Sequence, residues 1–452
     1  MSTVCCINIS SLYNTQGFCL RPKKHLSFSA LRKALSMQFE QIDDCRQAVK
    51  VEYVMHDCLM SAFAMMFFQD SSLLAFQQRM QDHIQYNNLT STFNIKTIPK
   101  DTQLRTVIDN IPPMLLEGAF SDFLHRLQRG KLLESYRLIQ DMYLVPIDGS
   151  QYFSSGKINC PHCLSAGKKK KRYYHQILQA AIVHPDMRQV LPLAPEQISN
   201  RDGTRKQDCE INAAKRLIPK IRKAHPKLKL IVTADGLYSK QPFIDALKEA
   251  GMSFILVAKP DDHKLLFEWV NELTQLDAGG SMEITDAKGR HHCYQWVNDV
   301  PLNGSKDADQ VNFFQYQIVS KEHKITYRNS WVTDLAVDKK SVITLVKGGR
   351  ARWKIENETF NTLKNQGYHI EHNFGHGRQS LSMNFLILNL LAFYVHQILD
   401  LSDKLYQKVR YEKFTSRLEF WNQLRCTFRI LLFKSWEHML SFIYDPPMKR
   451  AP

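Results

Sequence analysis

The sequence predicts an α/β protein: a mixed sheet flanked by helices, with an all-α N-terminal domain and an antiparallel β insertion. Three observations lead there. Residues 27–140 repeat apolar side chains at steps of three and four, as in LRKALSMQFEQI and VEYVMHDCLMSAFAMMFF, with no glycine until Gly118. From Tyr143 the texture changes to short β-branched and aromatic runs alternating with amphipathic ones, the pattern of a sheet with crossover helices. Between 280 and 335, β-rich runs follow one another across polar connections, which is the pattern of hairpins.

The elements follow in order. MYLVPIDGSQYF (142–153) is a compact apolar strand ended by a turn. RYYHQILQAAIVH (172–184) and RQVLPLAP (188–195) are further strands. A helix is expected over 206–225, a buried strand over 228–236, a helix over 241–251 capped by Gly251, and a strand over 253–260. MEITD, HHCYQWVNDV, VNFFQYQIVS and KITYRNSWVTDL form the insertion, separated by AKGR, LNGSKDAD and SKEHK. After KGGR the chain returns to helix over 351–366. Residues 380–399 carry no charge and are long enough to cross a bilayer. However, Asn384, Asn389, His396 and Gln397 interrupt them, which favours a buried core helix and no membrane. The expected units are 1–140, 141–265, 266–345, 346–400 and a basic aromatic tail over 401–452.

The 452 residues include 60 Lys and Arg against 44 Asp and Glu, a net charge of +16. That balance favours a polyanionic partner, chiefly nucleic acid. Ten cysteines and an N-terminus without a basic or apolar leader pattern lead to the expectation of a cytoplasmic protein with free thiols.

Three acids stand out by context. Asp148 ends one apolar strand in PIDG, and Asp235 ends another in TADG. A carboxylate after a buried strand projects from the carboxyl edge of a sheet, where α/β sites lie. Glu356 lies on a later helix, in RWKIENETF. Each Asp-Gly alone is an ordinary turn former. Together, on a basic chain, the three acids suit a site for Mg²⁺ or Mn²⁺ acting on nucleic acid.

Around these acids the sequence resembles the DDE transposases of bacterial insertion sequences. The resemblance runs from about residue 98 to 396 and rests on VPIDGSQYF, IVTADGLYS and RARWKIENETFNTLK. The spacings, 87 residues from Asp148 to Asp235 and 121 from Asp235 to Glu356, leave room for inserted strands. The resemblance implies an RNase H-like catalytic core with the β insertion before the final Glu. It also implies an endonuclease and strand-transfer enzyme, with Asp148, Asp235 and Glu356 holding two Mg²⁺ (or Mn²⁺) ions and no organic cofactor. The implied partners are double-stranded DNA, as terminal inverted repeats bound by the N-terminal helices and as target, and a second copy of the chain on DNA.

Arg352 and Glu356 keep the family's four-residue step and share a helix face. Gly349 stands where the family has Tyr, and Lys364 falls one residue later than usual. Glu358 therefore stays an alternative third acid. Arg352 and Lys364 are expected to hold phosphates near the cut. A nuclease of the same fold that does not join strands, and a non-catalytic DNA-binding descendant, are the alternatives.

Lys168, Lys169, Lys170, Lys171 and Arg172 form a basic run suited to the DNA backbone, or to a solvated loop. Cys160-Pro-His-Cys163, with His162 or His175, is half of a zinc ligand set. Without a second CxxC of matching spacing, the expectation is a tight loop with two free thiols. His369, His372 and His376 are expected to be structural or DNA-contacting, and Trp296 and Trp331 to pack within the insertion. The tail over 404–450, with ten basic and four acidic residues among aromatics, suits DNA binding, a dimer contact or an amphipathic cover for the core.

Overall fold

The computed structural model describes residues 24–446, apart from 45, 48, 50, 81–82, 168–169 and 201–206. Among these residues six α-helices precede the sheet: α1 (Phe28–Glu40), α2 (Met55–Phe67), α3 (Leu73–Met80), α4 (His83–Phe93), α5 (Asp101–Asp109) and α6 (Met114–Arg129). The Ser27 hydroxyl accepts from Ala30 N and caps α1. Helix α2 is apolar and buried almost all round, the mark of a helix enclosed by others.

The strands are β1 (Arg137–Ile139), β2 (Met142–Ser155), β3 (Leu164–Ala166), β4 (Arg172–Ile182), β5 (Leu191–Pro192) and β6 (Glu196–Ile198). They continue as β7 (Leu230–Ala234), β8 (Ser253–Val257), β9 (Gly280–Thr285), β10 (His291–Pro301), β11 (Gln310–Val319) and β12 (Ile325–Thr333). Five of them form a core in the order β6–β4–β2–β7–β8. β2, β7 and β8 are parallel, and β4 runs antiparallel to β2. An antiparallel hairpin continued by two parallel crossover strands is the RNase H-like arrangement. Helices α7 (Glu210–Ala224) and α8 (Gln241–Glu249) make the crossovers.

The insertion extends the same sheet. After α9 (Lys264–Gln275), the meander β9–β10–β11–β12 is antiparallel throughout, and β12 pairs antiparallel with β8. Trp296 and Trp331 are buried within it, so neither offers an exposed stacking face; Trp331 stacks on Phe314 with ring centres 5.2 Å apart.

Three expectations need correction. First, Asp148 does not end its strand: β2 continues to Ser155, where β4 pairs with it from Ile147 onward. Second, only Leu191–Pro192 of the 188–195 run is a strand. Third, the helix after the insertion begins at α10 (Val342–Arg350), ahead of 351. Its Gly348 and Gly349 read as a break, yet they admit close packing. A Cβ on Gly349 would lie 2.6 Å from the Trp331 Nε1. A 3₁₀ turn (Ala351–Trp353), a π turn (Ile355–Phe360) and α11 (Asn361–Asn365) follow.

The uncharged stretch forms α12 (Leu381–Ser402), long and apolar enough to cross a membrane, but 89% of its apolar window is buried inside the protein. It packs against α2, α5 and α6. Its polar interruptions have protein partners. Asn384 donates to the Ile108 and Ile111 carbonyls, and Asn389 to the Tyr368 carbonyl. His396 meets the Tyr368 hydroxyl at 2.7 Å, and Gln397 accepts from Val190 N. These pairings answer the desolvation cost of buried polar groups. The tail folds back as α13 (Lys404–Glu412), α14 (Arg417–Ile430) and α15 (Trp436–Tyr444). Trp421 lies 4.1 Å from His396 and Trp436 4.9 Å from Phe28, centre to centre, so the tail's aromatic side chains serve the core.

Asp109, at the end of α5, accepts from the backbone N–H groups of Arg378, Gln379, Ser380 and Leu381. Burial raises its carboxyl pKa, but these four donors hold it below its ordinary value. Asp109 thus anchors the loop that leads into α12. Asp109→Ala is expected to lower stability by about 2 kcal/mol, the upper range for a lost cap. Chemical unfolding measures it; an unchanged midpoint would contradict this role.

Candidate active site

β2 and β7 pair in parallel register, with Pro146 opposite Thr233. Carrying that register two residues further sets Asp148 opposite Asp235, on strands about 4.8 Å apart. The two acids therefore leave the carboxyl edge of the central strand pair side by side. Asp148 Oδ1 accepts from Gly149 N at 2.9 Å, and Asp235 Oδ1 from Leu237 N at 2.9 Å.

A third acid joins them that the sequence reading missed. Glu210 is the first residue of α7. Gln176 donates to its Oε1 at 2.6 Å, and the Tyr238 hydroxyl to its Oε2 at 3.1 Å. Its carboxylate lies over Gly149, where a Cβ would sit 2.1 Å from Oε1, so the glycine makes room for the acid. In the sequence Glu210 looks like any acid in the first turn of a helix, where the macrodipole favours it.

The electrostatics reflect this crowding. Burial pushes the Asp148 carboxyl up to about 6, and Glu210 and Asp235 push the same way against Arg352 and the Gly149 N–H. Burial likewise raises Glu210, with Asp235 adding to it and the Tyr238 and Gln176 donors opposing. Carboxylates drawn together resist ionisation.

Arg352 is buried, its Nη1 3.7 Å from Asp148 Oδ2 and its guanidinium 4.6 Å from the centre of the Trp353 ring. Glu356 and Glu358 both lie in the π turn, which packs on β2 and β4. Glu358 acts electrostatically on Lys354, whose Nζ donates to the Met187 carbonyl. Lys364 pairs with Glu371 at 2.9 Å. Among the described residues, Asp148, Asp235 and Glu356 do not close into a compact ligand group.

Lys168 and Lys169 lie outside the described residues. Lys170, Lys171 and Arg172 are exposed where β3 turns into β4; Lys171 lies 5.8 Å from the centre of the Tyr173 ring, and Arg172 bonds the Ser154 hydroxyl. Cys160 and Cys163 form no disulfide. The histidines of the 369–376 segment do not converge on one another: His372 packs edge-on against Phe374, and His376 turns to Cys163.

Comparison with curated proteins finds no match. The cryo-EM structure of a piggyBac transposase synaptic complex with hairpin DNA is similar at 12% identity, over 93% of this chain and 79% of that one, with a TM-score of 0.41. Residues 145–394, more than half the chain, match the family described as the transposase DDE domain, and the chain belongs to that family.

Proposed function

We propose that the chain cuts DNA at the ends of a mobile element and joins the freed ends to target DNA. Asp148, Asp235 and Glu356 are the metal-binding acids of this reading. The observation that carries it is the parallel register of β2 and β7, whose last pair, Pro146 with Thr233, leads into Asp148 and Asp235, inside a transposase DDE domain. The donors are carboxylate oxygens, which fit hard divalent cations, and burial with the charges of Glu210 and Asp235 raises the Asp148 carboxyl to about 6. Two bound Mg²⁺ or Mn²⁺ ions supply activation of water or a 3′-hydroxyl and stabilisation of the leaving oxygen.

The chain's own groups do the rest. Arg352 sets a buried cation beside Asp148, where a phosphate can be gripped. Glu210, held by Tyr238 and Gln176, adds a negative charge that acts on Asp148. Lys364 and the basic run from Lys168 to Arg172 offer cations to the DNA backbone. The N-terminal helices would read the terminal inverted repeats, and two copies would bring two ends together.

The test is incubation of purified protein with a plasmid carrying its gene and flanking DNA, with Mg²⁺ or Mn²⁺. Metal-dependent cuts at defined inverted repeats support the reading. Binding to those ends without cuts in either metal would contradict it and favour a non-catalytic DNA-binding protein.

A further inference from the structure

A second cluster lies outside the acids. Cys160 and Cys163 come from the β2–β3 connection, His175 from β4, and His376 from the loop before α12. One ligand atom from each lies within 4.8 Å of all the others. Cys160 and Cys163 Sγ are 3.9 Å apart. His175 Nε2 is 3.6 Å from both sulfurs, and His376 Nε2 is 3.5 Å from Cys163 Sγ. A tetrahedral zinc with bonds of about 2.3 Å to sulfur and about 2.0 Å to nitrogen has S···S edges of about 3.8 Å and S···N edges of about 3.5 Å. The four measured edges match that solid.

Nothing else explains the arrangement. The sulfurs are far too distant for a disulfide, whose S–S bond is about 2.05 Å. Thiols are weak hydrogen-bond partners, yet two of them and two imidazoles gather at one point. Both imidazoles present Nε2 to the cluster, and neither Nδ1 has a partner among the described residues. Phe153 lies tilted against His376 at 4.4 Å and Tyr152 stacks on His175 at 5.7 Å, so aromatic rings pack against both imidazoles.

We infer that Cys160, Cys163, His175 and His376 bind one structural zinc ion. Two sulfur and two imidazole donors in a tetrahedron select zinc among common cations. All four positions are filled by protein, which marks a structural site and leaves none for substrate. Binding deprotonates both thiols and releases two protons to solvent. The ion ties the hairpin that continues β2 beyond Asp148 to the loop after the Glu356 segment. His376 lies 213 residues beyond Cys163, so the tie crosses the whole insertion. Asp109 holds that loop from its other side.

The test uses the full chain, purified with zinc present and without chelators. Metal analysis is expected to find about one zinc per chain, and cobalt exchange to give the spectrum of a tetrahedral ion with thiolate ligands. Cys163→Ser and His376→Ala are expected to fall below about 0.2 zinc per chain, while Cys209→Ser, at an exposed thiol away from the cluster, keeps its metal. Alkylation mapped by mass spectrometry adds a readout on the unmodified chain: Cys160 and Cys163 react only after zinc is stripped. A zinc-free wild-type chain would overturn the inference. So would full zinc in Cys163→Ser, or free alkylation of both thiols in the untreated protein. None of these readouts depends on DNA cleavage.

Discussion

Asp148→Asn is expected to abolish DNA cleavage and, in the same molecule, to stabilise the protein at neutral pH without added Mg²⁺. The loss is about 10³-fold or more, since a metal-binding carboxylate that supports an in-line displacement contributes several kcal/mol. The gain follows from the raised carboxyl, pushed by burial and by Glu210 and Asp235 from an ordinary 3.8 to about 6. An acid whose folded pKa is raised binds more protons folded than unfolded between those values. Stability therefore falls as pH rises through about 4 to 6 and stays lowered above it. The cost at pH 7.5 is about 2 kcal/mol, discounted for the partial exposure of the side chain. Asn carries no charge and escapes it. Calorimetry across pH 4 to 7.5, with no chelator present, is expected to show the variant melting a few degrees higher at pH 7.5 and converging with the parent near pH 4. A variant that melts lower at pH 7.5, or cuts within tenfold of the parent, would contradict the assignment.

The second large effect separates the two glutamates. Glu356→Gln is expected to reduce cleavage about 10³-fold, and Glu358→Gln to leave it within about threefold. Arg352, four residues before Glu356, reaches Asp148, whereas Glu358 acts on Lys354, which is anchored to the Met187 carbonyl. DNA binding by both variants should match the parent, so the comparison isolates chemistry. The reverse ranking would move the third acid to Glu358.

The same segment shows why spacing alone left that choice open. Lys364 falls one residue later after Glu356 than the family resemblance leads one to expect. The π turn over Ile355–Phe360 accounts for it, because a π turn absorbs one extra residue within a helix. Periodicity in the sequence assumes a regular helix and cannot register such a turn. π turns recur at functional sites, which suits its place here.

What was legible followed local chemistry. The apolar runs that lead into Asp148 and Asp235 showed in the sequence, and both coincide with strands. The polar interruptions of α12 argued for a protein core, and each has found a protein partner there. What stayed hidden depends on contacts distant in the chain. β2 continues past Asp148 because β4 lies beside it. Gly348 and Gly349 lie inside α10, and Trp331 fills the space a side chain at Gly349 would take. Glu210 joins the acids only once α7 is laid over Gly149. The CxxC and His175 were legible as half a ligand set, and the fourth member of the cluster, His376, lies beyond the insertion.

The most direct measurement of the central claim is a joining reaction. A labelled duplex bearing one element end with a free 3′-hydroxyl is mixed with the protein, a supercoiled target plasmid and Mg²⁺. A transposase is expected to attach the label covalently to the plasmid, dependent on metal and on Asp148 and Asp235. Nicked plasmid that never carries the label, under conditions where the protein binds the duplex, would contradict strand transfer and leave a nuclease in its place.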